Sequence, residues 1–186
     1  VLRSMPNLEI YQPATYEQAR AITHYLCTRK ESKLSYLRLG RQPVESTKNG
    51  EKFEPYSTIS IRKYVHADIS IFISGCLLKE VVDAADMLLE KGVCCNIVNV
   101  PILKPFIKTT HIALVKGKMA VSIEDHSVIG GLGTALAETL STLPSLSAPR
   151  LVRIGINDAF AESGQSKDLY DKYGLTTQKI YDRILN

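Results

Sequence analysis

The hydrophobic pattern of the first forty residues predicts a strand, a helix and a second strand. Residues 8–12 alternate apolar and polar side chains and stop at Pro13, and residues 34–39 form a second short apolar run. Between them, residues 15–18 (Thr-Tyr-Glu-Gln) have the form of a capping box, in which the Thr and Gln side chains satisfy the first amides of a helix. Because one helix connects the two strands, we expect a parallel βαβ unit.

A stretch of linker composition separates this unit from the rest of the chain. Residues 42–57 contain Pro43, Asn49-Gly50, Pro55 and several charged or polar side chains without periodicity. The first unit also starts abruptly, which is typical of the end of a larger sheet. We therefore divide the chain into residues 1–45, the end of one domain, a linker at 46–57 and a second domain at 58–186.

The second domain begins with strand patterns and a strongly amphipathic helix. Residues 58–64 and 69–74 are strand-like with a turn between them, so we expect an antiparallel pair. Residues 77–91 predict a helix that ends at Gly92, a residue suited to the left-handed conformation of a helix C-cap. Its predicted buried stripe consists of Val81, Val82, Ala85, Leu88 and Leu89.

Strands and helices continue to alternate to the end of the chain. The predicted strands are residues 94–100, 119–123 and 151–154, and the predicted helices are a short turn at 104–106 and residues 132–143, 167–173 and 177–185, the last capped by Thr176. The apolar run at 94–100 is typical of a central strand that is covered on both faces. The pattern predicts an α/β fold, a three-layer α/β/α sandwich with a mostly parallel mixed sheet.

Composition and charge argue against several classes of protein. The net charge of +4 comes from 23 basic and 19 acidic residues. The basic residues are scattered, which disfavours nucleic-acid binding. The longest apolar runs are far shorter than the ~20 residues of a membrane-spanning helix, and the N-terminus shows no secretion signal, so we expect no membrane association and a cytoplasmic location.

The cysteine and histidine spacing does not indicate a metal site or a disulfide framework. The four cysteines, Cys27, Cys76, Cys94 and Cys95, have no Cys-x-x-Cys spacing. We interpret them as buried, reduced thiols. His24, His66 and His111 stand without neighbouring ligands at metal-binding spacing, and we therefore expect no metal site.

A glycine-rich helix start at residues 130–133 is a candidate for anion binding, since the first backbone amides of a helix are unpaired. A dinucleotide-binding loop would have Gly or Ala where Leu136 stands, and its turn would follow the strand directly. The pattern therefore favours close packing of the helix on a neighbouring backbone.

The acidic and histidine residues before these glycines are candidates for acid–base chemistry. Asp125-His126-Ser127 has the residue types of a hydrolase triad, but consecutive side chains do not converge on one point. Glu124 and His126 could point the same way on a strand and act as acid and base. At a strand end such residues more often bind local backbone or a partner subunit.

Two arginines at the end of the second strand are the best candidates for ligand contact. Arg38 and Arg41 lie in the series Leu37-Arg-Leu-Gly-Arg-Gln-Pro43. Ligands of open α/β sheets bind at strand ends, and guanidinium groups pair well with phosphate oxygens. The alternative is that both are simply solvated surface charges.

Three segments together resemble the C-terminal part of transketolases: residues 121–136, with Glu-Asp-His-Ser and the glycines, residues 160–164 (Phe-Ala-Glu-Ser-Gly), and residues 169–176. The resemblance implies that residues 1–45 are the C-terminal part of a pyrimidine-binding domain and that 58–186 are the transketolase C-terminal domain. It matches Arg41 to the arginine that holds the sugar phosphate, with Arg38 as a second candidate. It also implies a dimer interface that includes Glu124, His126, Gly130, Gly131 and Gly133.

The same resemblance implies an enzyme that moves two-carbon ketol units between sugar phosphates in the pentose phosphate pathway. Such an enzyme uses thiamine diphosphate and a divalent metal between two subunits of a dimer. The expected cofactor-binding segments are not in this chain, so we expect it to bind no cofactor alone and to need an N-terminal portion or subunit. Relatives that share the last domain leave open a deoxyxylulose phosphate synthase, a 2-oxoacid dehydrogenase beta subunit or a noncatalytic assembly module.

Overall fold

The computed structural model describes residues 1–41, 44, 53–144 and 148–186. After a short 3-10 turn at Leu2–Ser4, the elements in chain order are β1 (Leu8–Tyr11), α1 (Tyr16–Thr28), β2 (Leu34–Leu37), β3 (Ile59–Arg62), β4 (Ile69–Ser74), α2 (Leu78–Glu90), β5 (Cys95–Asn99), β6 (Ile102–Lys104), α3 (Lys108–Leu114), β7 (Met119–Ser127), α4 (Leu132–Leu140), β8 (Arg150–Ile156), α5 (Ser166–Tyr173) and α6 (Thr177–Leu185). Strands and helices alternate, and the predicted α/β class is confirmed.

The main sheet has five strands in the order β3-β5-β4-β7-β8. The four strands β5, β4, β7 and β8 run parallel to one another, and β3 lies antiparallel at the edge. Alternate residues of the central strand β4 face opposite sides. Ile71 and Ile73 pack in the core with α2 and α6, whereas Phe72 packs with Leu132 and Leu136 of α4. Both faces of the sheet are therefore covered, as in a three-layer sandwich.

A second sheet has three strands in the order β2-β1-β6. The strands β1 and β2 are parallel and joined through α1, which confirms the predicted βαβ unit. The third strand, β6, comes from the far side of the predicted linker and pairs antiparallel with β1 through Ile10 and Tyr11. Leu8 and Ile10 then pack in the same core as α4. The boundary at 46–57 stays a prediction, because most of that segment lies outside the described residues.

The helix ends follow the predicted chemistry at two of three places. The Thr15 hydroxyl accepts a hydrogen bond from the Gln18 amide, and the Gln18 side chain accepts one from the Ala14 amide, one residue before the position of a standard capping box. Gly92 has φ of +80° at the end of α2, as predicted. Thr176 occupies the N-cap position of α6, but its side chain makes no capping hydrogen bond, so that prediction was wrong in detail.

Three other expectations were also wrong. The strand β3 does not form a hairpin with β4. It pairs antiparallel with β5, because β4 is enclosed by β5 and β7 at the centre of the sheet. The helical turn predicted at 104–106 is replaced by the end of β6, and α3 begins at Lys108. In α2, Leu89 is 41% exposed, and Leu78 and Ala84 complete the buried stripe.

Candidate functional site

The carboxyl ends of β4 and β7 form the crevice in which open α/β sheets usually bind ligands. The chain leaves β4 toward β5 on one side, and it leaves β7 toward β8 on the other. Neighbouring strands with oppositely directed connections leave a gap between their carboxyl ends. The residues at this gap are Gly75 and Cys76 after β4, and Glu124 and Asp125 near the end of β7.

Two side chains from the N-terminal part of the chain enter this crevice. The Asp125 carboxylate accepts a hydrogen bond of 2.8 Å from Nε2 of Gln12 and one of 2.6 Å from Nη1 of Arg38. These donors are 113 and 87 residues away in sequence. The Asp125 side chain is only 11% exposed, and that of Arg38 is 32% exposed. The ion pair is thus largely shielded from water and joins the two sheets.

Close backbone contacts accompany this ion pair. A Cβ atom at Gly40 would lie 2.0 Å from Sγ of Cys76, and one at Gly75 would lie 2.3 Å from Nε2 of Gln12. The Arg38 amide also donates a hydrogen bond of 2.8 Å to the carbonyl of Tyr11. Glycine at positions 40 and 75 therefore allows the end of β2 and the end of β4 to approach each other.

Arg41 differs from Arg38 in its surroundings. It lies one residue beyond Gly40 and is exposed, and no described residue makes a hydrogen bond or ion pair with its guanidinium group. Arg38 is already paired with a carboxylate. Of the two predicted phosphate ligands, Arg41 is therefore the one whose charge is available to an anion. Gln42 and Pro43, which complete the motif, lie outside the described residues.

Glu124 serves the start of α4. Its fully buried carboxylate accepts hydrogen bonds from the backbone amides of Leu132, at 2.7 Å, and Gly133, at 3.1 Å. A negative group at a helix N-terminus satisfies unpaired amides and interacts favourably with the helix dipole. Burial raises the pKa of Glu124, although His126 and the two amides oppose that shift.

The glycines of this segment have distinct local roles. A Cβ at Gly131 would lie 1.9 Å from Oε2 of Glu124, and one at Gly133 would lie 2.5 Å from Oγ of Ser122. Gly130 has φ of +78° and nothing near its missing side chain. The close-packing interpretation of the helix start fits these contacts, because the amides that could have cradled an external anion bind Glu124.

His126 and Ser127 do not form a hydrolase-like arrangement with Asp125. Nδ1 of His126 is 3.0 Å from the backbone carbonyl of Ser127, and the Ser127 hydroxyl accepts a hydrogen bond from the amide of Ile129. Nδ1 of His126 also lies 3.4 Å from Oε2 of Glu124. Since Glu124 has no exposed surface, this pair offers no route for substrate to the carboxylate.

The residues predicted for a dimer interface divide into two groups. Glu124, Gly131 and Gly133 are buried within the chain, whereas His126 and Gly130 are partly exposed and the neighbouring Ile129 is 63% exposed. A contact with a second subunit in this region stays a prediction. Of the residues named for it, only His126 and Gly130 could contribute surface.

Metal and thiol chemistry find little support within the described ranges. Among those residues, no group of three or more His, Cys, Asp or Glu side chains is arranged to hold a metal ion. The cysteines are free, but only Cys95 is buried and Cys27 is exposed, so the prediction of four buried thiols was wrong. Burial raises the pKa of the Cys76 thiol and that of Cys95, which disfavours a reactive thiolate. His24 and His66 are exposed, and His111 is buried against Phe106.

The sequence interpretation missed Gln12 and Asp125 as members of the crevice. Asp125 was considered only as part of a local triad, and Gln12 only as the end of a strand. The available signal was their position directly after a predicted strand, where parallel sheets bring side chains together. Their pairing across 113 residues required the tertiary fold.

Comparisons with known proteins identify relatives of this chain. A family model described as "Transketolase, C-terminal domain" matches residues 60–180. A putative uncharacterized transketolase family protein of Sinorhizobium fredii is 32% identical over 99% of this chain and 53% of its own length. A putative transketolase C-terminal section of Methanocaldococcus jannaschii is 30% identical over 100% of this chain and 57% of its own length. The chain thus spans about half the length of these curated relatives.

A similar solved structure bears the description "Split gene transketolase, inactive beta4 tetramer". It aligns with a TM-score of 0.86 and 32% identity over 99% of this chain and 59% of the solved chain. A transketolase from Pichia stipitis, solved with fructose-6-phosphate as a mutant, has a TM-score of 0.75 at 18% identity, which shows the shared fold. No helix in the described part of the chain is long and apolar enough to cross a membrane.

Proposed function

The chain belongs to the transketolase C-terminal domain family, and on that premise we propose that it supplies the C-terminal part of an enzyme that transfers two-carbon ketol units between sugar phosphates. The single observation that carries the site assignment is the exposure of Arg41 beyond the carboxyl end of β2, without an ion-pair partner among the described residues. Arg38, three residues earlier, is the second candidate for a contact with the substrate phosphate.

The proposal that a partner completes the active site follows from the relatives. One of the two subunits of an apulose-4-phosphate transketolase from Actinobacillus succinogenes is 30% identical over 100% of this chain and 59% of its own length. The similar solved structure is described as an inactive tetramer of a split-gene transketolase. We infer that this chain acts together with an N-terminal portion or subunit, in an assembly that contains at least two copies of each part.

Thiamine diphosphate and a divalent metal are implied by the family. The described residues do not bring together a donor set for the metal, so they do not fit a complete site for the metal and its diphosphate. We therefore assign the cofactor, which supplies the carbanion chemistry of this family, to a site that the partner must complete.

The part of the reaction that this chain can perform is binding and orientation of substrate. A guanidinium group can form two parallel hydrogen bonds to phosphate oxygens and so fixes both the position and the direction of the bound group. Arg41 would hold the phosphate of a sugar and present its other end to the cofactor. Because this contact is the same before and during the reaction, its loss should raise KM more than it lowers kcat.

The test is reconstitution with the N-terminal partner, thiamine diphosphate and a divalent metal. We expect ketol transfer in the mixture but not with either component alone. Arg41→Ala should lower kcat/KM by about 10- to 100-fold for a phosphorylated acceptor, the loss of one charge-assisted contact. Full activity of Arg41→Ala would remove Arg41 from the site, and a mixture without ketol transfer would instead favour a noncatalytic assembly role or a relative with different chemistry.

A further inference from the structure

We propose that Asp125 is a positioning residue that, through Arg38, holds the Arg41 segment in place for phosphate binding. This inference rests on the proposed function, because it concerns how Arg41 is placed. It assigns a role in substrate binding to the C-terminal domain itself, through a residue that is not expected to touch the substrate.

The first argument is the unusual occupation of the crevice. In open α/β sheets, the gap between oppositely connected strands is normally free for a ligand. Here Asp125 lies at that gap, and the side chains of Gln12 and Arg38 fill it from the other sheet. The crevice of the main sheet thus binds the protein's own N-terminal part, at the end of the strand that carries Arg41.

The second argument is the proximity of these contacts to Arg41 along the chain. Arg38 is three residues before Arg41 and Gly40 is directly before it. Arg38 is fixed by its side chain to Asp125 and by its amide to Tyr11. Gly40 is packed against Cys76 without room for a side chain. The backbone immediately before Arg41 is therefore held against the ends of both β4 and β7.

The third argument concerns charge. The Arg38–Asp125 pair brings opposite charges to 2.6 Å in a setting where the carboxylate is 11% exposed. Such a pair is only weakly screened by salt. If Asp125 were neutral, Arg38 would lose its partner and could itself turn toward a bound phosphate. Asp125 therefore both orients the segment and keeps Arg38 engaged, so that Arg41 provides the available positive charge.

The test is a comparison of phosphorylated and unphosphorylated acceptors in the reconstituted enzyme. Asp125→Asn keeps the size of the side chain but removes its charge. We expect KM for a phosphorylated aldose to rise roughly tenfold and kcat to stay within about twofold, while KM for the same aldose without phosphate stays unchanged. Asp86→Asn is a matched control, since Asp86 forms a 2.6 Å pair with Arg62 away from the crevice. It should change none of these constants.

A double-mutant cycle tests whether Asp125 acts through Arg38. Arg38→Met and Asp125→Asn should have similar effects on KM, and the double variant should be no worse than either, because both remove one bond. Additive effects, or an effect of Arg38→Met far larger than that of Asp125→Asn, would show that Arg38 contacts the phosphate directly and would overturn the proposal.

The remaining outcomes separate this inference from the proposed function. If Arg41→Ala weakens the phosphorylated acceptor while Asp125→Asn does not, or if Asp125→Asn weakens both acceptors equally, Arg41 keeps its role and the positioning role is rejected. If Arg41→Ala has no effect, the proposed site fails and the inference fails with it. Thermal unfolding and partner binding are measured for each variant. If Asp125→Asn does not fold, the same acceptor comparison with Arg38→Met decides.

Discussion

Replacing Gly131 with alanine should destabilise the protein by displacing the buried Glu124 carboxylate. The added Cβ would lie 1.9 Å from Oε2 of Glu124 and 2.6 Å from Cε1 of His126. Neither atom can move outward easily, because Glu124 is fully buried. Its carboxylate would have to leave the amides of Leu132 and Gly133, and the first turn of α4 would lose both of these hydrogen bonds.

The magnitude follows from those two bonds. A hydrogen bond to a charged group contributes about 1.5–3 kcal/mol. Alanine recovers about 0.5–1 kcal/mol by restricting the unfolded chain. We therefore expect the free energy of unfolding to fall by about 2–4 kcal/mol, allowing for partial relaxation. For a protein of this size, that corresponds to a Tm lower by about 5–15 °C.

The assay is reversible unfolding of the purified chain, followed by circular dichroism at neutral pH. Gly130→Ala is the matched control, because a Cβ there meets nothing within 4 Å and the only penalty is its φ of +78°. That conformation costs about 1–2 kcal/mol for a residue with a side chain. Gly131→Ala should therefore be the more damaging change.

A double variant identifies the cause. With Glu124→Ala, the atoms that clash with the new Cβ are gone, so adding Gly131→Ala should cost little further stability. If Gly131→Ala is as stable as the parent chain, or if its cost is undiminished in the Glu124→Ala background, then the carboxylate does not cap α4 in the way described.

Two further predictions concern titration and packing. Burial raises the pKa of Glu124, so its contribution to stability is fully present below a pH of about 4.3 and is lost as the pH rises through the raised pKa; Glu124→Gln should remove that decline from unfolding curves measured across pH, and an unchanged profile would contradict it. Burial alone would raise the pKa of Glu9, but hydrogen bonds from Arg29, Tyr56 and Tyr11 hold it below the usual range, so its contribution is present above a pH of about 4.3 and is lost as the pH falls through the lowered pKa, a dependence that Glu9→Gln should abolish. Gly40→Ala should cost about 1–3 kcal/mol by overpacking, since its Cβ would lie 2.0 Å from Sγ of Cys76, and Cys76→Ala in the same chain should restore most of the loss; equal stability of the two variants in denaturant would refute the contact.

Local patterns were sufficient for most of the elements of this fold. The Thr15 and Gln18 side chains cap α1 because the capping box acts through neighbouring residues. Gly92 ends α2 for an equally local reason. The pairing of β3 was mispredicted because hairpins and edge strands have similar patterns, and the choice between them depends on which strands occupy the centre of the sheet.

The candidate site was only partly accessible from sequence. Arg41 was identified through its motif and its position after a strand, and its role stays a prediction. The Arg38–Asp125 pair depends on how two sheets pack, and no local period encodes a contact across 87 residues. The role of Glu124 at the start of α4 was also hidden, since its acceptor amides belong to residues eight and nine positions later.

The strand β6 limits how this protein could be recombined with its relatives. It belongs by sequence to the segment after the predicted linker, yet its hydrogen-bonding neighbour is β1 at the start of the chain. A chimera joined within 46–57 would pair β6 of one parent with β1 of the other, and it would also separate Asp125 from its native Gln12 and Arg38. Exchanging the C-terminal domain between enzymes of this family would thus require matching residues on both sides of the junction, although the two parts look separable along the sequence.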